Sequence, residues 1–372
     1  MIIEPNRIVM RRPDNWHCHW RQGNLLHFMV RQLMLAGYGR VNGMPNTDPP
    51  ILNVDQAQRY AEQFKRIHEK LERVGRVCSG FINPDLTPVP AIQILEETGS
   101  AIIAEAVQRG FRHFKIYPFG VTNSRSGVRN YRLLEPVFKI AEECGAVLSF
   151  HAENPDRGVV GREKEAAFIP TAEWIVKRFP SLRIIIEHAG DRRMIKWVQS
   201  QSAYVAATLT PHQAEICQDD YIGYSERSGC RGHTRFAFKP TAKDKEDCVA
   251  VLTAATSGDP HFFFGGDDAP HLQRDKGADH NCGAFHTIEA VPRWIELFER
   301  MGALPKLEDF LSRFGASFHG WPLNQSEVTF VREPWEVPRL YEVHGVEGAS
   351  DGVEPYLAGE RMEWRLQQQY AG

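Results

Sequence analysis

Four histidines, a lysine and an aspartate in this chain have the types from which metal sites are built: His17, His19, Lys115, His151, His188 and Asp267. The first two lie in the stretch Asp14-Asn15-Trp16-His17-Cys18-His19-Trp20-Arg21. On an extended backbone, residues two apart point to the same side, so His17 and His19 present two imidazoles in one direction. Cys18 then points the other way and reads as packing. Taken singly, each member has a plainer explanation. His151 and His188 suit packed, hydrogen-bonded positions, Asp267 or its neighbour Asp268 suits a helix cap, and Lys115 suits a lysine reaching its head to solvent. Jointly they fall at or near the ends of short apolar runs, which a shared site explains better than chance. Lys115 is the unusual member, because a protonated lysine repels metal ions. A desolvated, neutral amine can instead react with carbon dioxide, and the resulting carbamate can bridge two metals through its two oxygens. Two metals would account for more nitrogen ligands than a single catalytic zinc requires.

The elements that must position these groups follow a rhythm of short apolar strand, polar turn and amphipathic helix. Strands are expected at 7–12, closed by Pro13, and at 39–46, 76–83, 111–118, 146–151, 182–188, 202–209 and 262–267. Helices are expected at 24–37, 55–74, 91–109, 133–144, 171–179, 243–256, 285–301 and 306–318. The clearest is 55–74, where Ala57, Tyr60, Ala61, Phe64, Ile67 and Leu71 recur at helical spacing. Gly110 and Gly145 read as helix stops. A Gly/Asn/Ser-rich loop spans 119–130, a long irregular stretch spans 211–242, and a proline-rich tail begins near 322. Alternating strands and helices imply parallel pairing, and eight strands point to a (β/α)8 barrel, with a doubly wound open sheet as the alternative. In a barrel all the strand ends carrying the six residues meet on one face. No domain boundary is visible, so residues 1–372 are expected to form one barrel domain with the tail, about 322–372, packed on it.

Composition narrows the class of partner. The 372 residues are 42% hydrophobic and 24% charged, a globular balance, and the formal charge of -3 gives no reason to expect nucleic acid or an anionic membrane. Seven cysteines are scattered without a CxxC pair, which fits a reducing compartment. With no signal-like N-terminus and no apolar run of membrane-spanning length, the expectation is a soluble cytoplasmic protein.

Several motifs carry a resemblance beyond residue type. His17-Cys18-His19 with Arg21, the Met44-Pro45-Asn46 turn, Phe114-Lys115-Ile116-Tyr117-Pro118, and His151 and His188 at strand ends resemble the amidohydrolase superfamily. Gly266-Asp267-Asp268-Ala269-Pro270-His271 narrows the likeness to the dihydroorotases, of the shorter homodimeric bacterial type. Ala207-Thr208-Leu209-Thr210-Pro211 and Tyr356-Leu357-Ala358-Gly359-Glu360 extend it over nearly the whole chain. The resemblance implies two zinc ions per chain. His17, His19 and Asp267 would hold one and His151 and His188 the other, with N6-carboxylated Lys115 and a hydroxide bridging both. It also implies a clamp on a substrate carboxylate made by Arg21, Asn46 and His271. A mobile lid after Tyr117 is implied as well, with Thr122 the candidate to touch substrate and Asn123 where a second threonine is expected. Asp267 would act as base and then acid in the reversible interconversion of N-carbamoyl-L-aspartate and L-dihydroorotate, a step of pyrimidine biosynthesis.

The chain departs from this pattern in two places. Lys239 stands in Ala237-Phe238-Lys239-Pro240 where a leucine is expected, beside the ring of the substrate. The loop after His271 is reduced to Asn281-Cys282-Gly283-Ala284. Lys239 and Cys282 are therefore the positions that bear on which ring is accepted. The competing readings are a cyclic amidase acting on a hydantoin or dihydropyrimidine-like ring, and a non-catalytic homologue serving as a scaffold. The second of these would be expected to have lost ligands, and none of the six is missing.

Overall fold

The computed structural model describes residues 1–77, 83–120, 127–222, 234–276, 281–345 and 351–368. Its elements begin with β1 (Ile2–Glu4), β2 (Arg7–Arg11), β3 (Asp14–Cys18), α1 (Gly23–Leu35), β4 (Arg40–Gly43), α2 (Val54–Val77), β5 (Thr87–Pro90), β6 (Ile92–Ile94) and α3 (Ser100–Gln108). There follow β7 (His113–Ile116), α4 (Glu135–Cys144), β8 (Val147–Phe150), α5 (Ile169–Arg178), β9 (Arg183–Ile186), α6 (Arg192–Gln199) and β10 (Val205–Leu209). The chain continues through α7 (Pro211–Glu215), α8 (Gln218–Ile222), α9 (Lys245–Thr256), β11 (Phe262–Phe264), α10 (Ala290–Arg300) and α11 (Phe314–His319). It ends in β12 (Glu327–Glu336), β13 (Tyr341–Glu342), β14 (Gly352–Val353) and β15 (Arg361–Leu366).

The strands from β3 to β11 pair in parallel, in the orders β3-β4-β5 and β6-β7-β8-β9-β10-β11, with helices between them. Only Ala91 separates β5 from β6, and its N–H bonds Gly43 O at 2.9 Å. Together β5 and β6 make one stave of the barrel. Pro88 and Pro90 face away from β4 in this register and have no N–H to offer the next strand, so pairing with β7 starts only at Ile92. The ring closes between the last and first staves through Asp267 N to His17 O at 2.8 Å and His19 N to Asp268 O at 2.8 Å. The expected (β/α)8 barrel is therefore the architecture present.

Period-two alternation layers the barrel interior. Val147, Ile185, Ala206 and Phe263 pack with Trp16 and Ala316 at the floor. Two residues further along the same strands come Ser149, Glu187, Thr208 and Gly265, level with Lys115. Two further still come His151 and Asp267. Helices cover the outside, and a single large apolar cluster joins them to the staves.

Three local expectations are corrected. Arg7 to Arg12 is not the stave in front of the histidine pair. Pro13 separates it from β3, and β2 joins an antiparallel sheet of order β1-β2-β12-β15, so the tail contributes strands and packs Phe330 and Trp364 against the core. Arg76 and Val77 end helix α2, and the third stave lies later, at 87–94, where its prolines disguise it. The expected helix 91–109 begins only at Ser100. The helix expected over 306–318 is present, with a π-helical turn at Asp309–Arg313 running into α11.

Candidate metal centre and substrate cavity

All six candidate ligands lie at the C-terminal ends of the staves and all are buried. His17 Nε2 and His19 Nε2 stand 3.2 and 3.3 Å from the same oxygen, Oδ1 of Asp267. Ligand atoms of His17, His188 and Asp267 lie within 4.8 Å of one another, as a metal ion requires. The His151 and His188 rings meet edge to face, with centroids 4.6 Å apart. Lys115 has no exposed surface, and its Nζ has no hydrogen-bond partner. His188 Nδ1 is likewise buried and unpartnered. Such orphaned atoms cost about 1–3 kcal/mol each unless something else engages them. Together with the donor set, they fit a resident metal centre.

The backbone is bent to make this arrangement. Arg21, His188 and Asp267 have φ of 62°, 42° and 55°, and they are the only non-glycine residues with positive φ among those described. Asp267 can reach His17 because Gly265 and Gly266 precede it. A Cβ on Gly265 would lie 2.8 Å from Thr208 and 3.0 Å from His17, and one on Gly266 would lie 2.7 Å from Asp268.

Behind the candidate ligands stands a set of acceptors, of which sequence reading missed Glu187 and Glu153. Glu187 Oε2 lies 2.8 Å from His17 Nδ1, Glu153 Oε2 lies 2.6 Å from His151 Nε2, and Asn46 Oδ1 lies 2.8 Å from His19 Nδ1. Each partner engages one ring nitrogen and so fixes which face of the imidazole the other presents. The signals were present as Glu187-His188 and as His151-Ala152-Glu153, but an acidic residue beside a histidine is common and neither spacing is diagnostic.

Charges follow from burial and these pairs. Burial pulls the Lys115 ammonium down to about 8, against the opposing pull of Glu187 and Asp267. Burial would raise Asp267, but His17, His19 and His188 hold its carboxyl well below the usual range. Burial would also raise Glu187, and His17 with Lys115 brings it to about 2. His19 falls to about 4, chiefly through burial. Arg21 donates from Nε to Pro270 O at 3.0 Å and from Nη2 to His271 Nε2 at 2.8 Å. His271 can accept because burial and the neighbouring Arg21 depress it to about 2, leaving the ring neutral.

Above the ligands opens a cavity of about 240 Å³, lined also by Arg21, Asn46, Tyr117, Lys164, Lys239, Cys282 and Gly283. Arg21, Asn46, Lys239 and Cys282 are thus brought to one space, while His271 lies behind Arg21. Lys164 and Tyr117 were not singled out from the sequence. Thr122 and Asn123 lie outside the described residues. Cys18 is buried in the apolar core, as its position in the triplet predicts.

Comparison with known proteins shows the family. The amidohydrolase family model matches residues 48–207. The dihydroorotase of Coxiella burnetii is 32% identical over 363 residues, covering 97% of this chain and 98% of the relative. That of Marinobacter nauticus is 34% identical over 368 residues, covering 97% and 99%. The chain belongs to the dihydroorotase family. Among solved structures, Saccharomyces cerevisiae dihydroorotase in complex with 5-fluoroorotic acid superposes with a TM-score of 0.84 at 27% identity, covering 98% of this chain and 99% of that one. The L-hydantoinase of Arthrobacter aurescens gives 0.76 at 15% identity, covering 98% and 84%, a likeness of fold. Dihydroorotases are metal-dependent hydrolases of cyclic amides, and the buried His/Asp cluster is where this member would hold its metal. No helix among the described residues is long and apolar enough to cross a membrane.

Proposed function

We propose that this chain interconverts N-carbamoyl-L-aspartate and L-dihydroorotate, as a cytoplasmic homodimer with two zinc ions per chain. The observation that carries the substrate is Arg21. Two of its N–H groups are spent on Pro270 and His271, which aims the remaining guanidinium edge at the cavity over the ligand cluster. Two parallel charge-assisted hydrogen bonds from that edge suit a carboxylate, and Asn46 can add a third from its amide nitrogen. A hydantoin without a carboxylate would leave this arginine unpaired.

His17, His19 and Asp267 would hold one ion and His151 and His188 the other, with carboxylated Lys115 between them. When bound, such ions supply a water ionised at a pKa of roughly 7 and polarise the amide carbonyl. Lys115 is suited to its part because its amine is partly neutral near pH 7. The neutral nitrogen would add to carbon dioxide and release a proton, leaving a carbamate. Asp267 stays ionised at neutral pH, so it can accept the proton of the attacking water and return it to the ring nitrogen as the amide bond breaks. Glu187 and Glu153 hold His17 and His151 in place throughout. The test combines a zinc count with a dihydroorotate assay on the purified protein. Two zinc ions with interconversion support the reading, and two zinc ions without it overturn it.

A further inference from the structure

Among the described residues, three cationic side chains line the cavity, and they differ in how they are held. Arg21 is fixed by Pro270 and His271, and Lys164 donates to the carbonyls of Asn154 at 2.9 Å and Asp156 at 2.8 Å. Lys239 makes no hydrogen bond or ion pair among the described residues, although its charge is felt at Glu153, on the His151 side of the site. An ammonium held in a cavity wall without a protein partner is poised for a ligand acceptor.

Which acceptor follows from the substrate, and here the inference rests on the function proposed above. Dihydroorotate has three polar edges: the carboxylate, the scissile carbonyl, and the ureido carbonyl between its two ring nitrogens. With the first on Arg21 and the second over the metal ligands, the third faces the remaining wall. That wall joins two segments, through Gly283 N–H to Ala237 O at 2.8 Å, and Lys239 is its strong side-chain donor. We propose that Lys239 Nζ donates a hydrogen bond to the ureido oxygen and stabilises the charge that develops on the leaving nitrogen.

During hydrolysis the water oxygen bonds to the carbonyl carbon and gives its proton to Asp267. The ring C–N bond then breaks, and its electron pair moves to nitrogen, where it is shared with the ureido oxygen. The proton on Asp267 returns to that nitrogen. Charge on the ureido oxygen therefore peaks as the bond breaks, and an ammonium beside it helps the transition state more than the ground state. Loss of Lys239 should fall on kcat more than on KM.

The test compares wild type with Lys239→Met on L-dihydroorotate and on its 2-thio analogue, whose sulfur is a weaker acceptor. The intrinsic difference between the two substrates cancels when the oxo/thio ratio of the variant is divided by that of wild type. Lys239→Met should lower kcat/KM for dihydroorotate roughly 10- to 100-fold, the range of a hydrogen bond to a charged group, and should shrink the oxo/thio preference. Lys239→Arg should recover part of both. Zinc content checks that the site is intact, and Lys239→Gln gives the same comparison should the methionine variant fail to fold. An unchanged ratio in an active variant overturns the role of Lys239 alone. A zinc-loaded wild type that leaves dihydroorotate untouched overturns the function and this inference together.

Discussion

Glu187 is not among the residues that line the cavity, yet its replacement by glutamine should weaken metal binding measurably. The carboxylate is buried, lies 2.8 Å from His17 Nδ1, and accepts a hydrogen bond from the Thr208 hydroxyl at 2.5 Å. That hydroxyl in turn accepts from the backbone N–H of His188 at 2.7 Å. One carboxylate thus steadies a ligand of each proposed ion. Because it is held at about 2, it is anionic at any working pH, and an anion at Nδ1 requires the proton there. That leaves His17 Nε2, not Nδ1, as the nitrogen that can be presented to a metal. A glutamine keeps the shape but removes the charge. Its amide can also turn and donate to Nδ1, which favours the tautomer with a proton on Nε2.

Loss of such a partner typically costs 10- to 100-fold in metal affinity, or about 1.4–2.7 kcal/mol. A second effect runs the other way. Glu187 raises the pKa of Lys115, so its removal leaves more neutral amine and favours carboxylation. The loss that remains belongs to the histidines. The assay is chelator competition for zinc, with circular dichroism to show that the variant is folded. Glu187→Ala should do worse than Glu187→Gln, because Thr208 then loses its acceptor as well. A folded Glu187→Gln protein with wild-type zinc affinity would refute the reasoning.

Lys115→Ala should lose the metal pair and most activity, checked by zinc analysis. In the wild-type apoprotein, at fixed zinc and a fixed concentration of dissolved carbon dioxide, the rate of reactivation should rise with pH as the ammonium deprotonates, then level off above about 8. A pH-independent rate would argue against a neutral amine as the nucleophile. Asp267→Asn should stay folded but fall at least about 100-fold in kcat, since it neither accepts nor returns a proton, as steady-state assays will show. Arg21→Lys should raise KM for dihydroorotate by roughly 10-fold, because a lysine cannot form the paired hydrogen bonds. An unchanged KM would move the carboxylate elsewhere.

The six candidate ligands were legible because strand ends and residue types coincide in the sequence. Lys115, His151 and His188 each sit at or just past a short apolar run, and the barrel gathers those ends on one face. The third stave was not legible because Pro88 and Pro90 read as breakers. They are tolerated because β5 needs donors only on the β4 side. The first stave was displaced for a related reason: Arg7–Arg11 has the apolar alternation of a barrel strand, but its partner, β12, lies more than 300 residues later. No local pattern carries that pairing. Glu187 escaped because its partner, His17, lies across the barrel, which spacing does not encode, and Glu153 because a carboxylate two residues from a histidine is too common to single out.

The backbone around Arg21, His188 and Asp267 points to the same division. Each is held at positive φ, a conformation costing about 1–3 kcal/mol for a residue with a side chain, and each would be cheaper as glycine. Glycine supplies no ligand and no guanidinium, so the strain persists where the side chain is needed. The surroundings that hold it are visible. Tyr60 donates to Arg21 O at 2.7 Å, Thr208 accepts from His188 N, and His17 O accepts from Asp267 N at 2.8 Å. The last of these bonds also closes the barrel between its first and last staves. Closure of the fold and placement of Asp267 are therefore one structural event. Substitutions at Gly265 or Gly266 should accordingly disturb metal binding and stability together rather than either alone.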